Sequence, residues 1–218
     1  MQERRRSQLP PVYAPDGSHL KVDTVYWDRL HETELPLLLA RTQFAPAAEG
    51  RLIFRFLNAD VMVDMQARCL RRFQAGRWMR TEDPLLELAT VLYLINVKDI
   101  YPLGRDIVGH KDLKQGRFFQ GPHVLKIAPL LERFGHDVAG FLKSAESLGG
   151  DRVDMGDAAY RLKPFPRVHL YYLLWEGDEE FPARMSVLFE RSIEETLEAD
   201  AIWGLVSRVS TALLTGNS

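Results

Sequence analysis

The sequence predicts an α+β fold: a mixed or antiparallel sheet holding a three-stranded meander over about residues 158–190, with helices packed mainly on one face. Three observations carry this. Between Asp154 and Glu190, apolar residues alternate with period two in three short runs joined by tight connections. An earlier pair of alternating runs, Leu52–Leu57 and Val61–Met65, flanks the turn-like Asn58-Ala59-Asp60 and reads as a β-hairpin. Between and after these runs, apolar residues recur at helical spacing, most clearly from Pro84 onward.

The elements follow in chain order. Residues 1–22 are polar and proline-rich, with Pro10, Pro11 and Pro15 before Asp16-Gly17, and are expected to be a flexible leader ahead of a single α+β domain over 23–218. Asp23 is placed to cap a short helix carrying Val25, Tyr26, Trp27 and Leu30. Pro36 suits the first turn of a second helix. Arg68 to Arg80 holds five arginines (68, 71, 72, 77 and 80) with Phe73 and Trp78, and reads as a strand face with counter-charges from elsewhere. Glu82 and Asp83 stand at the positive end of the Pro84 helix, whose apolar residues on several sides predict burial.

Lys98 to Pro122 dissolves into glycines and Pro102, longer than an ordinary loop, with Ile107-Val108 and Phe118-Phe119 as candidate short strands. Two helices follow, one starting just before Pro129 and ending at Gly135, one starting at His136-Asp137 and stopped by Gly149-Gly150. In the meander, Val168, Leu170, Tyr172 and Leu174 share one face and His169, Tyr171, Leu173 and Trp175 the other, so this strand should be central. Pro164 and Pro166 interrupt the ladder before it. Met185, Val187 and Phe189 alternate with Arg184, Ser186 and Glu190, a half-buried pattern. Asp200 is placed to cap a terminal helix.

Composition excludes several classes. The chain has 218 residues, 46% hydrophobic and 27% charged, the make-up of a soluble globular protein. Its net charge of -2 makes a general nucleic-acid binder unexpected. The single cysteine, Cys69, excludes a disulfide framework, a CxxC pair and a cysteine-ligated iron–sulfur cluster within this chain. No apolar run approaches the roughly 20 residues of a membrane span, and the start of the chain lacks a secretory pattern. The expectation is a cytoplasmic protein that does not contact the membrane.

No GxSxG elbow, phosphate loop or GxGxxG occurs, and no HxH or HExxH spacing places two histidines on one metal. The most individual feature is the acidic turn, Glu176, Asp178, Glu179 and Glu180 around Gly177. Carboxylates this close repel unless a cation or an arginine neutralises them. An oxygen-only cluster suits magnesium, calcium or manganese, a partner protein's basic patch, or plain solvation. Of the histidines, His123 after Gly121-Pro122 is the first candidate for a metal or a general base and His110 the second, while His169 on a strand reads as packed and hydrogen-bonded.

The string LLWEGDEEFPARMSVLF (Leu173–Phe189), with FFQGPH (Phe118–His123), FGHD (Phe134–Asp137) and LGG…GDAA (Leu148–Ala159), resembles a bacterial family known as domain of unknown function 3786. The resemblance implies an α+β domain and no established activity. Some members resemble fusions with a cysteine-rich iron–sulfur module, an arrangement from which this chain departs because Cys69 stands alone. The leading expectation is a non-catalytic binding or accessory protein of bacterial metabolism, of unknown ligand and cofactor, using the 98–123 loop and the acidic 176–180 turn to hold a protein partner. The alternative is a metal- or cofactor-dependent enzyme using the acidic turn with His123 or His110. A third idea is a nucleic-acid contact through Arg68, Arg71, Arg72 and Arg77.

Overall fold

The computed structural model describes residues 22–98 and 106–216. The leader expected over 1–22 lies outside these residues except for Val22, as do positions 99–105 of the glycine-rich segment.

Helix α1 (Thr24–His31) starts where the Asp23 carboxylate accepts the Val25 N–H at 3.0 Å, satisfying one of the orphan donors of a first turn. Helix α2 (Leu35–Thr42) carries Pro36 in its first turn and ends at Gln43, which adopts φ 60°. Strands β1 (Ala45–Pro46), β2 (Leu52–Phe56), β3 (Ala59–Asp64), β4 (Cys69–Gln74) and β5 (Arg77–Arg80) form one antiparallel sheet in that order. The β4–β5 connection is the two-residue turn Ala75-Gly76, with φ of 49° and 77°, positive at both residues as a tight hairpin with right-handed strand twist requires. Helix α3 (Pro84–Asn96) begins with the Asp83 carboxylate accepting the Leu86 N–H at 3.0 Å.

Strand β6 (Ile107–Gly109) opens the described part of the glycine-rich segment, and three 3₁₀ turns follow it, His110–Asp112, Gly116–Phe118 and Gly121–His123. Helix α4 (Ala128–Phe134) and helix α5 (Val138–Ser147) come next, the second capped by Asp137, which accepts the Gly140 N–H at 2.8 Å. Strands β7 (Asp151–Arg152), β8 (Ala158–Phe165), β9 (Val168–Trp175) and β10 (Arg184–Glu190) complete a second antiparallel sheet, ordered β6-β10-β9-β8-β7. Helix α6 (Ala199–Thr215) closes the described chain.

The α+β class and the β8–β9–β10 meander are as the alternation predicts, and β9 is the central strand of its sheet. The prolines act where expected: the β8–β9 register slips between Leu162 and Phe165. Three expectations are corrected. There are two five-stranded sheets rather than one, because the arginine-rich segment folds back on β3 and extends the early hairpin. Phe118 and Phe119 are not a strand, since Phe118 ends a 3₁₀ turn and Phe119 donates its N–H back to Gly116 rather than to a neighbouring strand. Asp200 does not cap α6, which begins at Ala199 after Glu198 without a side-chain cap; the Asp200 carboxylate instead accepts the Ala201 N–H at 2.7 Å.

One apolar cluster draws on both sheets and on the helices between them. At its centre four aromatic rings interlock. Phe44 stacks on Phe54 at 4.4 Å, Phe54 meets Phe165 at 5.5 Å, and Phe165 stacks on Tyr93 at 4.7 Å, tying β2, β8 and α3 together. Each such pair adds about 0.5–1.5 kcal/mol beyond the area it buries. Helices pack on the Tyr172 face of the second sheet: the Tyr172 hydroxyl lies 3.1 Å from Ser210 Oγ on α6, and Phe141 of α5 meets Tyr160 edge-on at 6.1 Å.

Candidate functional site

The acidic turn is the β9–β10 connection, and local chemistry shapes it. The Asp178 carboxylate accepts the N–H groups of Phe181 at 2.7 Å and Glu180 at 2.9 Å, while the Asp178 N–H donates to the Phe181 carbonyl at 2.9 Å. These two backbone donors, Phe181 first and then Glu180, hold the Asp178 carboxyl below the usual carboxylate range. At Gly177 an added Cβ would sit 2.6 Å from the Ala183 nitrogen, so the crossing of the two limbs needs glycine. The Glu176 N–H donates to Asp157 Oδ2 at 2.9 Å, fastening the turn to the loop before β8.

The result is a rigid loop with an exposed rim. Glu176, Asp178, Glu179 and Glu180 are all exposed, and none forms an ion pair among the described residues. Beside them Phe181 is 66% exposed, the highest of the large apolar side chains described. The four carboxylates are therefore not equivalent. Asp178 builds the turn; the three glutamates face outward with Phe181.

The histidines belong elsewhere. His110 meets Phe119 edge-on at 5.8 Å, and burial, with Lys111 adding to it, pushes its pKa below the ordinary imidazole value. His123 stacks on Phe118 at 4.3 Å and meets Trp203 edge-on at 5.9 Å, with the Lys126 ammonium 5.5 Å over the Trp203 ring. Strand β6, which leads into His110, pairs with the Leu188–Glu190 end of β10, whereas the acidic turn enters β10 at Arg184. Among the described residues, no three His, Cys, Asp or Glu side chains are grouped so as to hold a metal ion. Cys69 is buried, and that burial raises its thiol pKa.

The arginine-rich ribbon largely carries internal counter-charges. Arg68 pairs with Asp28 at 2.6 Å, and Arg71 with buried Asp64 at 3.0 Å. Burial of Asp64 works against ionisation, but the Ala67 N–H and the Arg71 and Arg51 guanidiniums outweigh it and hold the carboxyl low. Arg72 shares the inner face with Val61 and lies in the field of Asp83 and Arg208. Arg77 and Arg80 make no ion pair among the described residues. Between them, Phe73 and Trp78 pair across the hairpin edge-to-face at 5.2 Å.

One constellation escaped the sequence. Glu190, read as part of an outward polar face, is buried on the side of the second sheet away from Tyr172. His169 Nδ1 lies 2.8 Å from its Oε1, and the Tyr171 hydroxyl donates to the same oxygen at 2.9 Å. Glu190 Oε2 is buried without a hydrogen-bond partner. This arrangement fixes the orientation of the imidazole and joins β9 to β10 by side chains as well as backbone. His169 is packed and hydrogen-bonded as expected; its partner was not legible, because only the Leu170–Phe189 register brings Glu190 beside it.

A family model described as "Domain of unknown function (DUF3786)" matches residues 37–212, a span that takes in both sheets, the acidic turn and most of α6. No curated protein and no solved structure matches the chain.

Proposed function

The chain belongs to the DUF3786 family, and from that premise we propose that it is a non-catalytic binding or accessory protein of bacterial cytoplasmic metabolism that docks on a partner protein through its β9–β10 turn. The carrying observation is Phe181, 66% exposed and flanked by exposed Glu176, Glu179 and Glu180. An aromatic anchor fills a pocket and supplies most of the affinity, while an unneutralised charged rim steers the encounter and selects a partner of opposite sign. The partner surface is thus an apolar pocket ringed by lysine or arginine. Asp178 and Pro182 stiffen the loop, so little chain entropy is lost on docking. The 106–123 segment, with its His123–Phe118–Trp203 cluster, forms a separate surface in this reading.

The test is affinity capture with the full chain, followed by kinetics on the purified partner. Phe181→Ala should weaken binding by about 30-fold or more, the loss of an interface anchor worth about 2 kcal/mol. Glu179→Lys with Glu180→Lys should slow association, most strongly at low salt. Binding unchanged by both variants would overturn the proposal.

A further inference from the structure

We infer that the surface complementary to the acidic turn is carried by the protein itself: the β9–β10 turn of one copy docks on the β4–β5 ribbon of a second copy. The inference rests on the docking reading above and names its partner.

The two surfaces match in kind. The turn offers one exposed aromatic ring, Phe181, and three outward glutamates. The ribbon offers Phe73, 46% exposed, packed edge-to-face with Trp78, and Met79, 40% exposed on the other face of β5. Arg80 shares the Trp78 face of β5 and Arg77 the Met79 face; neither forms an ion pair among the described residues, and Arg80 lies in the field of Glu87. Phe181 can therefore pack against an aromatic pair while its neighbouring carboxylates meet guanidiniums, the side-chain cations best suited to bind them at an interface.

Position supports the same pairing. Among the described residues, strand β5 is the last strand of its sheet, with β4 as its sole neighbour, and one edge of the ribbon is unpaired. Arginines on an open edge deter indiscriminate strand pairing but admit an acidic loop. Within a single chain the turn belongs to the other sheet, and among the described residues its hydrogen bonds go to Asp157 and to itself. A net charge of -2 leaves little general repulsion between copies. Single-stranded nucleic acid also suits an arginine–aromatic ribbon. However, two of the arginines expected to hold it, Arg68 and Arg71, are already paired with Asp28 and Asp64, and Arg72 is partly buried. The observations favour the protein partner.

The contact joins two different patches. Two copies related by a two-fold axis close it as a dimer in which the contact is made twice; other rotations close it as a larger ring or extend it as a filament. A loop on a ribbon tip buries modest area, so the association is weak and salt-sensitive.

Sedimentation velocity on the full chain, over a concentration series at low salt, tests this with a charge-swap set. The wild type should sediment faster as concentration rises and revert to monomer at about 0.5 M salt, where screening reaches within a few ångströms. Arg77→Glu with Arg80→Glu, and separately Glu179→Arg with Glu180→Arg, should each raise the dissociation constant at least tenfold. An equimolar mixture of these two variants should restore association, since one contact is then native and the other is its mirror in charge. Phe181→Ala should weaken association without altering charge, and circular dichroism confirms that each variant is folded. A wild type that stays monomeric at every concentration, or a mixture that fails to restore association, overturns the inference. If the wild type is monomeric yet a different protein binds in a Phe181-dependent way, only the identity of the partner falls; if neither occurs, the docking reading falls too. Salt-dependent binding of a single-stranded oligonucleotide by a monomeric wild type would reassign the ribbon.

Discussion

The two faces of β9 carry nearly the same apolar pattern and are buried for different reasons. Val168, Leu170, Tyr172 and Leu174 point into the main core, under α5 and α6. Tyr171 and Leu173 point the other way, into a small cluster with Ala159 that Val153, Met155, Trp175 and Leu188 border, and buried His169 shares their face. That second face also holds the Glu190 carboxylate. Apolar packing excludes water from the first face, whereas hydrogen bonds between neighbouring strands make burial tolerable on the second. Burial alone therefore does not tell whether a strand face is core or network.

The largest expected effect sharpens this contrast. Leu170→Ala should cost about 3–5 kcal/mol in urea unfolding, because the rigid two-sheet core cannot collapse around the void, whereas Leu173→Ala, in the small cluster, should cost about 2 kcal/mol or less. Equal losses would mean that the two faces are equally consolidated. Next, Glu190→Ala should destabilise by about 1–3 kcal/mol, since it strands the buried His169 and Tyr171 polar groups. A Glu190→Ala, Tyr171→Phe double-mutant cycle should show coupling, and strict additivity would break the network reading.

The smallest effect is on pH dependence. Burial, with the Glu190 carboxylate adding to it, holds the Tyr171 phenol above its ordinary pKa of 10.0; burial does the same to Tyr172. Above about pH 10 the unfolded chain gives up these protons while the folded chain keeps them, so stability is full below that pH and falls as pH rises through the folded values. Alkaline melts should show this loss in the wild type, reduced in Tyr171→Phe and reduced separately in Tyr172→Phe. If Tyr171→Phe leaves the alkaline slope unchanged, the second face is wetter than described.

Much of the fold was legible where the governing interaction is short. Asp23, Asp83 and Asp137 cap helices whose first turns lie within three residues of them, and Pro36 and Pro84 mark the starts of α2 and α3. The centrality of β9 was legible from its doubly apolar pattern. Of the candidate site, the exposure of the acidic turn agrees with its composition, yet the division of labour between Asp178 and its neighbours does not follow from charge. It depends on which backbone N–H groups the chain reversal aims at that carboxylate. His110 and His123 are set among aromatic neighbours contributed by their own segment and by α6, surroundings that their spacing in the sequence does not reveal.

By itself, the sequence determined the α+β class, the starts of the helices before α6, the meander and its tight acidic connection. Each of these rests on caps, turn residues and side-chain periodicities that act over a few positions. Only the tertiary structure decided that there are two sheets, that Glu190 meets His169 and Tyr171, and that among the described residues Arg68 and Arg71 form ion pairs while Arg77 and Arg80 do not, Arg80 lying in the field of Glu87. The physical reason is that register and ion pairing are settled between segments far apart in the chain. Arg68 and Asp28 meet across 40 residues, Glu190 and His169 across 21, and no local pattern encodes which distant side chain will be the partner.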